Sequence, residues 1–176
     1  MNAPPTGFSG PPEFNDVFAQ NGRFVWRVLA RLGVQRRDVP DAGQEVFLVV
    51  HRRLQEFDAT RSSLQSWLYG ICLRVASDYR RRHPNRREAS VEALQQVAAV
   101  GEPESAVATQ RAWQRLAGVL DGIDEAKREV FVLYELEELA MPEVAALVGC
   151  PLQTAYSRLH SARRLVLAAF EQGPKS

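Results

Sequence analysis

The chain has 176 residues, 45% hydrophobic residues and a formal net charge of +1. This length allows one helical domain or two small ones, with enough apolar residues for a buried core. No apolar run approaches the roughly 20 residues that span a bilayer, and residues 1–12 lack the basic start and apolar centre of a signal peptide. We therefore expect a cytoplasmic protein with no direct membrane insertion.

The potential metal ligands and catalytic groups are scattered along the sequence. Cys72, Cys150, His51, His83 and His160 form no CxxC pair and no Cys/His cluster, so we expect two buried reduced thiols, no metal site and no cofactor. A glycine-rich phosphate loop and a spaced nucleophile and base are also absent from the sequence. These observations argue against an enzyme.

The charge is segregated along the chain although its sum is close to zero. Six arginines lie between Arg74 and Arg87, residues 88–148 are mainly acidic, and the chain is basic again after Pro151. Two basic surfaces separated by an acidic stretch are typical of two contacts with a polyanion. Solvated arginine-rich helices are the alternative interpretation.

The first part of the chain predicts three helices. Residues 1–12, rich in Pro and Gly, predict a disordered leader. Apolar residues at helical spacing predict helices over 13–32, 44–57 and 64–82, with Gly33 ending the first. Arg23, Arg27 and Arg31 recur every four residues along one side of the first helix. The residues expected to face inward are Phe14, Val17, Phe18, Phe24, Val25, Val28, Leu29, Phe47, Val50, Leu54, Phe57, Leu64, Leu68, Ile71, Val75 and Tyr79.

Residues 84–109 show no sustained apolar period, which predicts a linker and a domain boundary. The second domain is then expected over 110–171, with one helix from near Gln110 and another over 124–136. No alternating strand pattern of useful length is present. The predicted fold is therefore all-α, with two small helical domains joined by a flexible linker.

Residues 139–164 predict a helix-turn-helix. Its first helix begins near Pro142 and ends at Gly149, and its second begins at Pro151. The second helix has an inward apolar stripe of Ala155, Leu159, Ala162, Val166 and Ala169, and an opposite polar face of Gln153, Ser157, His160 and Arg164. That polar face suits base edges in a DNA major groove, although a merely solvated face is the alternative.

Three stretches carry a resemblance to a known family: DVPDAGQEVFLVVHRRLQEF from Asp38, WLYGICLRVASDYRRR from Trp67, and EAKREVFVLYELEELAMPEVAALVGCPLQTAYSRLHSARR from Glu125. Together they resemble bacterial RNA polymerase sigma factors of the extracytoplasmic-function (ECF) group of the sigma-70 superfamily. The resemblance implies a region 2-like domain over 13–83, the linker over 84–109 and a region 4-like domain over 110–171. It also implies core RNA polymerase and promoter DNA as partners, and control by an anti-sigma factor.

The resemblance assigns a role to each of three surfaces. The segment that docks on the β′ clamp of core polymerase corresponds to Asp41, Gln44, Glu45, Phe47 and Leu48, with a core position as the alternative for Phe47. Recognition and opening of the downstream (−10) promoter element correspond to a pocket of Thr60, Arg61, Ser62 and Ser63 and to phosphate contacts from Arg74, Arg80, Arg81 and Arg82. Relatives commonly have Asn where Arg74 stands, so the role of Arg74 is open. Trp67 is expected to be a core residue.

Recognition of the upstream (−35) element corresponds to the second helix of the helix-turn-helix, and the second domain is expected to meet the β flap of the polymerase. Base contacts are expected from Tyr156, Ser157, His160 and Ser161, with Gln153 and Thr154 at the helix start. Arg158, Arg163 and Arg164 are expected to contact phosphates. Because relatives often carry Lys or Arg where Tyr156 and Ser161 stand, the preferred promoter sequence is open.

Two other functions compete with the sigma factor hypothesis. A stand-alone helix-turn-helix regulator would need a dimer interface to read two half-sites, and the amino-terminal half is too basic for that role. An all-helical adaptor that binds only protein would use its arginine runs as solvated faces.

Overall fold

The computed structural model describes residues 12–82 and 104–171, and within these ranges it is all-α. The first domain contains α1 (Phe14–Arg31), α2 (Val39–Arg53), a 3-10 turn (Leu54–Glu56) and α3 (Leu64–Arg82). The second contains α4 (Glu104–Gly122), α5 (Glu125–Phe131), a π-helical segment (Val132–Leu136), α6 (Met141–Val148) and α7 (Leu152–Glu171). The predicted two-domain helical fold is confirmed.

The core of the first domain forms where α1, α2 and α3 each turn one apolar face towards the other two. Val25, Val28 and Leu29 of α1 are fully buried with Val46 and Val50 of α2, as their three- and four-residue spacing predicts. Apolar residues of α3 complete this core. Phe18 differs from its prediction: half of it is exposed, and its ring meets that of Phe47 edge-on with centroids 4.7 Å apart.

Helix α2 begins at Val39, five residues before the start at residue 44 that the apolar spacing predicts. Proline is compatible with the first turn of a helix, where its missing N–H is not needed, and Pro40 occupies that turn. Gly43 is a packing site rather than a turn residue. A Cβ at Gly43 would lie 2.6 Å from Nε1 of Trp26, so the missing side chain lets the indole pack on α2.

Helix α4 begins at Glu104, six residues before the predicted start at Gln110. Glu104, Ala106 and Ala108 are good helix formers. Their helix propensity outweighs the weak apolar period that favoured a linker there. The predicted leader and most of the predicted linker, residues 1–11 and 83–103, lie outside the described residues.

Arg128 connects α4 and α5 from the interior of the second domain. Its guanidinium is buried, and Nε donates to the Leu120 carbonyl at 2.6 Å while Nη2 donates to the Ile123 carbonyl at 2.8 Å. The Leu120 carbonyl, in the last turn of α4, also accepts from the Ile123 N–H at 3.1 Å, and Ile123 follows the helix, so the arginine holds the carboxyl end of α4 against α5. Sequence reasoning did not single out Arg128 as a core residue.

The helix-turn-helix forms as predicted. Pro142 lies in the first turn of α6, and Gly149 ends that helix with φ +66, a left-handed conformation that glycine adopts without strain. In α7, Ala155, Leu159 and Ala162 are buried against the domain core. The apolar stripe of the second helix therefore faces inward, and its polar face is left outside.

Both cysteines are free thiols, with Cys72 buried and Cys150 half-buried, so the predicted burial is confirmed for Cys72 alone. Burial raises the pKa of the Cys72 thiol to about 12. Across residues 12–82 and 104–171, no helix combines the length and apolar character needed to cross a membrane, and no cluster of three His, Cys, Asp or Glu side chains could hold a metal.

Candidate nucleic-acid interface

The outer face of α2, which we call the docking face, consists of Asp41, Gln44, Glu45 and Leu48. Their spacing of three or four residues places them on one side of the helix. Asp41, Gln44 and Leu48 are exposed, and the Leu48 side chain is 55% accessible despite being apolar. Phe47 is buried, as the alternative interpretation of that residue expected.

Two exposed aromatic residues of α1 contact α2 beside the docking face, and sequence reasoning assigned neither of them to a site. Phe18 packs on Phe47, and Trp26 lies over Gly43. Both side chains are about half accessible. Exposed aromatic residues are enriched at protein-binding surfaces.

The loop before α3 is shaped by hydrogen bonds among its own side chains. Asp58 accepts from the backbone N–H of Thr60 at 2.8 Å and from its hydroxyl at 2.6 Å. These bonds to Thr60 hold the pKa of the Asp58 carboxyl below its ordinary value. Thr60 and Arg61 are exposed at the tip of the loop, and Ser62 is half-buried. The loop is therefore an ordered turn with a polar tip.

Ser63 and Ser66 join this loop to α3. The backbone N–H of Ser66 donates to Oγ of Ser63 at 3.0 Å, and the two hydroxyls are 2.7 Å apart. Ser63 immediately precedes the helix, so its side chain caps the amino terminus of α3. Trp67 is partly buried, packs against the core and lies near Phe57, with ring centroids 5.4 Å apart, in agreement with its prediction.

The predicted phosphate-binding arginines at the end of α3 do not form one uniform cationic surface. Arg74 is exposed, and Arg81 pairs with the Asp78 carboxylate of the same helix. Arg82 donates two hydrogen bonds, at 2.8 and 3.2 Å, to the carboxylate of Glu45 on the docking face. The two hydrogen bonds between Arg82 and Glu45 link the candidate DNA surface to the candidate polymerase surface.

The exposed face of α7 contains Gln153, Tyr156, Ser157, His160 and Arg164. Positions 153, 157, 160 and 164 follow the helical repeat, so these side chains form one polar strip. Thr154 and Ser161 are half-buried at its edges. An exposed strip on the second helix of a helix-turn-helix is the surface that enters the major groove of DNA.

Two of the predicted phosphate contacts on α7 lie close to acidic residues of α5 and the π-helical segment. Nε of Arg163 donates to Glu135 at 2.5 Å, and its guanidinium lies over the Tyr134 ring at 5.7 Å. Arg158 is half-buried, and its charge acts on Glu129. Arg164 is exposed.

Both domains of the chain match known protein families. A family model for Sigma-70 region 2 matches residues 17–86, and one for Sigma-70, region 4, matches residues 113–166. The ECF RNA polymerase sigma-E factor of Escherichia coli K12 is 30% identical over 138 residues, which cover 73% of this chain and 72% of that protein. The chain belongs to the ECF sigma factor family.

A second relative is the ECF RNA polymerase sigma factor SigE of Mycolicibacterium smegmatis, which is 30% identical over 155 residues. The match covers 87% of this chain and 60% of that protein. In this ECF sigma factor, region 2 includes the docking face, the loop and α3, whereas region 4 includes α7 as far as residue 166.

Two solved structures share the fold. CnrH in complex with the cytosolic domain of CnrY superposes with a TM-score of 0.65 at 24% identity, over 91% of this chain and 88% of that one. RpoE in complex with the anti-sigma factor NepR from Bartonella quintana superposes with a TM-score of 0.66 at 18% identity, over 90% and 96%. The similarity extends over both domains of this sigma factor.

Contacts between the two domains involve residues that sequence reasoning did not assign to any site. Glu137 accepts hydrogen bonds from Arg27, Arg31 and Tyr69 of the first domain. The four-residue repeat of arginines on α1 was a signal that one side of this helix meets an acidic partner. The identity of that partner was not evident from the sequence.

Proposed function

We propose that this sigma factor binds core RNA polymerase, directs initiation at promoters with −35 and −10 elements, and helps to open the −10 region. One observation carries the proposal: a single chain presents a docking face on α2, a polar loop before α3 and a polar strip on α7. Each surface has the chemistry that its task needs, which is apolar and acidic for protein and polar or basic for DNA.

Opening of the downstream element requires bases to leave the duplex stack, at a cost of a few kcal/mol. In this proposal the exposed Thr60 and Arg61, with Ser62 and Ser63, receive an unstacked base. Arg74, Arg80, Arg81 and Arg82 hold the backbone of the displaced strand. On binding, Arg81 would release Asp78 and Arg82 would release Glu45. Both arginines would then pair with phosphates.

Contacts with the polymerase are assigned to opposite parts of the chain. The docking face is placed on the β′ clamp. The β flap is placed on the carboxyl end of α7, where the apolar residues Leu165, Leu167 and Phe170 are exposed. This role needs no catalytic residue and places the protein in the cytoplasm with the polymerase.

We also infer control by an anti-sigma factor. CnrH and RpoE have this fold and were solved with the cytosolic domain of CnrY and with the anti-sigma factor NepR. Exposed apolar side chains on α1, α2 and α7 offer such a partner surfaces on both domains.

Run-off transcription with purified core polymerase and a promoter library tests the proposal. Transcripts with defined starts should appear only when both the chain and core polymerase are present. Absence of initiation on every template, together with nanomolar binding of a palindromic duplex by the chain alone, would replace the proposal with a stand-alone regulator.

A further inference from the structure

The carboxylate of Glu137 lies between the two domains, where only 2% of the side chain is accessible. One oxygen accepts from Nη1 of Arg31 at 2.6 Å, and the other accepts from the Tyr69 hydroxyl at 2.7 Å and from Nη2 of Arg27 at 3.2 Å. Arg31 also donates to the Leu136 carbonyl at 2.9 Å. All three donors come from α1 and α3, whereas Glu137 follows the π-helical segment of the second domain. We call these four side chains the Glu137 latch.

The latch holds the second domain against the surface that the proposed function gives to the −10 element. The Ser66 hydroxyl, which also contacts the cap residue Ser63, donates to the carboxylate of Glu143 on α6. Gly70 of α3 faces Leu147 of α6, since a Cβ there would lie 3.7 Å from the leucine methyl. Helix α6 thus packs along the same helix that presents the candidate phosphate contacts.

Charged residues of the two domains also meet farther along α3. A cleft of about 390 Å³ is bordered by Arg74, Asp78 and Arg81 of α3 and by Glu129, Leu147 and Val148 of the second domain. A DNA strand that ran along Arg74 and Arg81 would therefore approach the Glu129 carboxyl. The packed arrangement opposes binding of that strand sterically.

The packed arrangement is also too short for a promoter. By their numbering, the −35 and −10 elements lie about 25 base pairs apart, and B-DNA rises by about 3.4 Å per pair, so the separation is roughly 85 Å. A helix of 20 residues, the length of α7, spans only about 30 Å. Domains in direct contact cannot occupy both elements at once.

We propose that the Glu137 latch holds this sigma factor in a closed, self-inhibited state that must open before both promoter elements are bound. The closed state follows from contacts within the chain, and its inhibitory effect rests on the proposed function. Opening leaves an acidic side chain and two arginines to be hydrated, which offsets part of the cost of breaking the buried pairs. Core polymerase and promoter DNA bind only the open state, and their binding supplies the rest of the free energy needed for opening.

Small-angle X-ray scattering of the full chain tests the latch without polymerase. Glu137→Gln removes the charge and keeps the shape, and Arg31→Gln removes the closest donor. Both variants should raise the radius of gyration by on the order of 3 Å or more. Glu138→Gln is the matched control, because Glu138 is the exposed neighbour with the same charge, and it should scatter like the unmodified chain.

Affinity for core polymerase tests the inhibitory effect. If the closed state dominates in the free chain, Glu137→Gln should bind core polymerase roughly tenfold more tightly, because less of the binding energy is used for opening. Unchanged scattering for both variants, or an extended unmodified chain, would overturn the latch even if transcription is normal. Opening without tighter binding would overturn self-inhibition. Failure of every form to bind polymerase would reject the proposed function and leave the scattering result to decide the latch.

Discussion

At the scale of single residues, Glu129 shows how the packing of the domains acts on one carboxyl group. Burial, followed by repulsion from Glu125, raises its pKa to about 7, while the charges of Arg80, Arg158 and Arg128 oppose this rise. A carboxyl in this position holds its proton near neutral pH. Its protonation state therefore affects stability in the physiological range.

The pH dependence of stability should report Glu129. In the unfolded chain a glutamate titrates near 4.5, so between about pH 4.5 and about pH 7 the folded chain holds a proton that the unfolded chain has released. The free energy of unfolding should therefore fall as pH rises through this window, by roughly 2 kcal/mol after allowance for partial exposure. Glu129→Gln should remove this part of the dependence.

Urea unfolding at the two ends of the pH window measures this effect. Glu125→Gln is a control of equal charge change, and it should lower the pKa of Glu129 and shift the dependence to lower pH rather than remove it. An equal loss of stability with pH in the original chain and in Glu129→Gln would contradict the assignment.

At the scale of secondary structure, the docking face of α2 is a local feature that the sequence predicts well. Gln44 and Glu45 stand on a helix whose opposite side contains Val46 and Val50, both fully buried. The same dipeptide recurs at Gln55 and Glu56, after α2 ends. Glu45 pairs with Arg82 and Glu56 with Arg53, so the two pairs differ in position rather than in chemistry.

This recurrence provides a matched test of the docking face. Gln44→Ala with Glu45→Arg should weaken binding to core polymerase by a factor of ten or more, about 1.4 kcal/mol, because an acidic contact becomes repulsive. Gln55→Ala with Glu56→Arg makes the same chemical changes and should leave binding unchanged. Fluorescence titration with labelled core polymerase measures both, and circular dichroism checks the helical fold.

If the polymerase bound elsewhere on the molecule, the double variant at residues 44 and 45 would not bind more weakly than the double variant at residues 55 and 56. Equal affinities for the two double variants would contradict the assignment. The exposed pair of Glu45 and Arg82 contributes at most about 1 kcal/mol to stability, so loss of this pair does not unfold the domain.

Helix starts were harder to predict from the sequence than helix faces. Pro40 and Gly43 are turn formers by composition, yet Pro40 occupies a first helical turn and Gly43 accommodates Trp26 from another helix. Such roles depend on tertiary contacts. The apolar stripe of α7 was predicted correctly because Ala155, Leu159 and Ala162 follow the period of the helix itself.

At the scale of the whole molecule, the contacts between the domains could not be predicted from the sequence. Glu135, Glu137 and Glu138 are close together in an acidic stretch, but Glu135 pairs with Arg163, Glu137 is buried between domains, and Glu138 is exposed. The π-helical segment just before Glu137 changes the number of residues per turn. The ordinary helical period therefore does not identify which glutamate faces the first domain.

The two DNA surfaces give the whole chain its function only if a third body fixes their separation. Region 2 holds the loop and α3, region 4 holds α7, and the connection between them lies outside the described residues. Linked weak contacts gain affinity when the geometry lets both bind at once. In this account the polymerase sets that geometry, and the closed chain alone cannot.

Run-off transcription on a series of spacer lengths tests this central claim most directly. Templates share the two selected promoter elements and differ only in the number of base pairs between them. With core polymerase and the chain present, transcription should be maximal at one spacing and should be lost when the upstream element is moved by five base pairs, about half a helical turn of DNA. Equal transcription at every spacing, or after removal of the upstream element, would contradict recognition at two points.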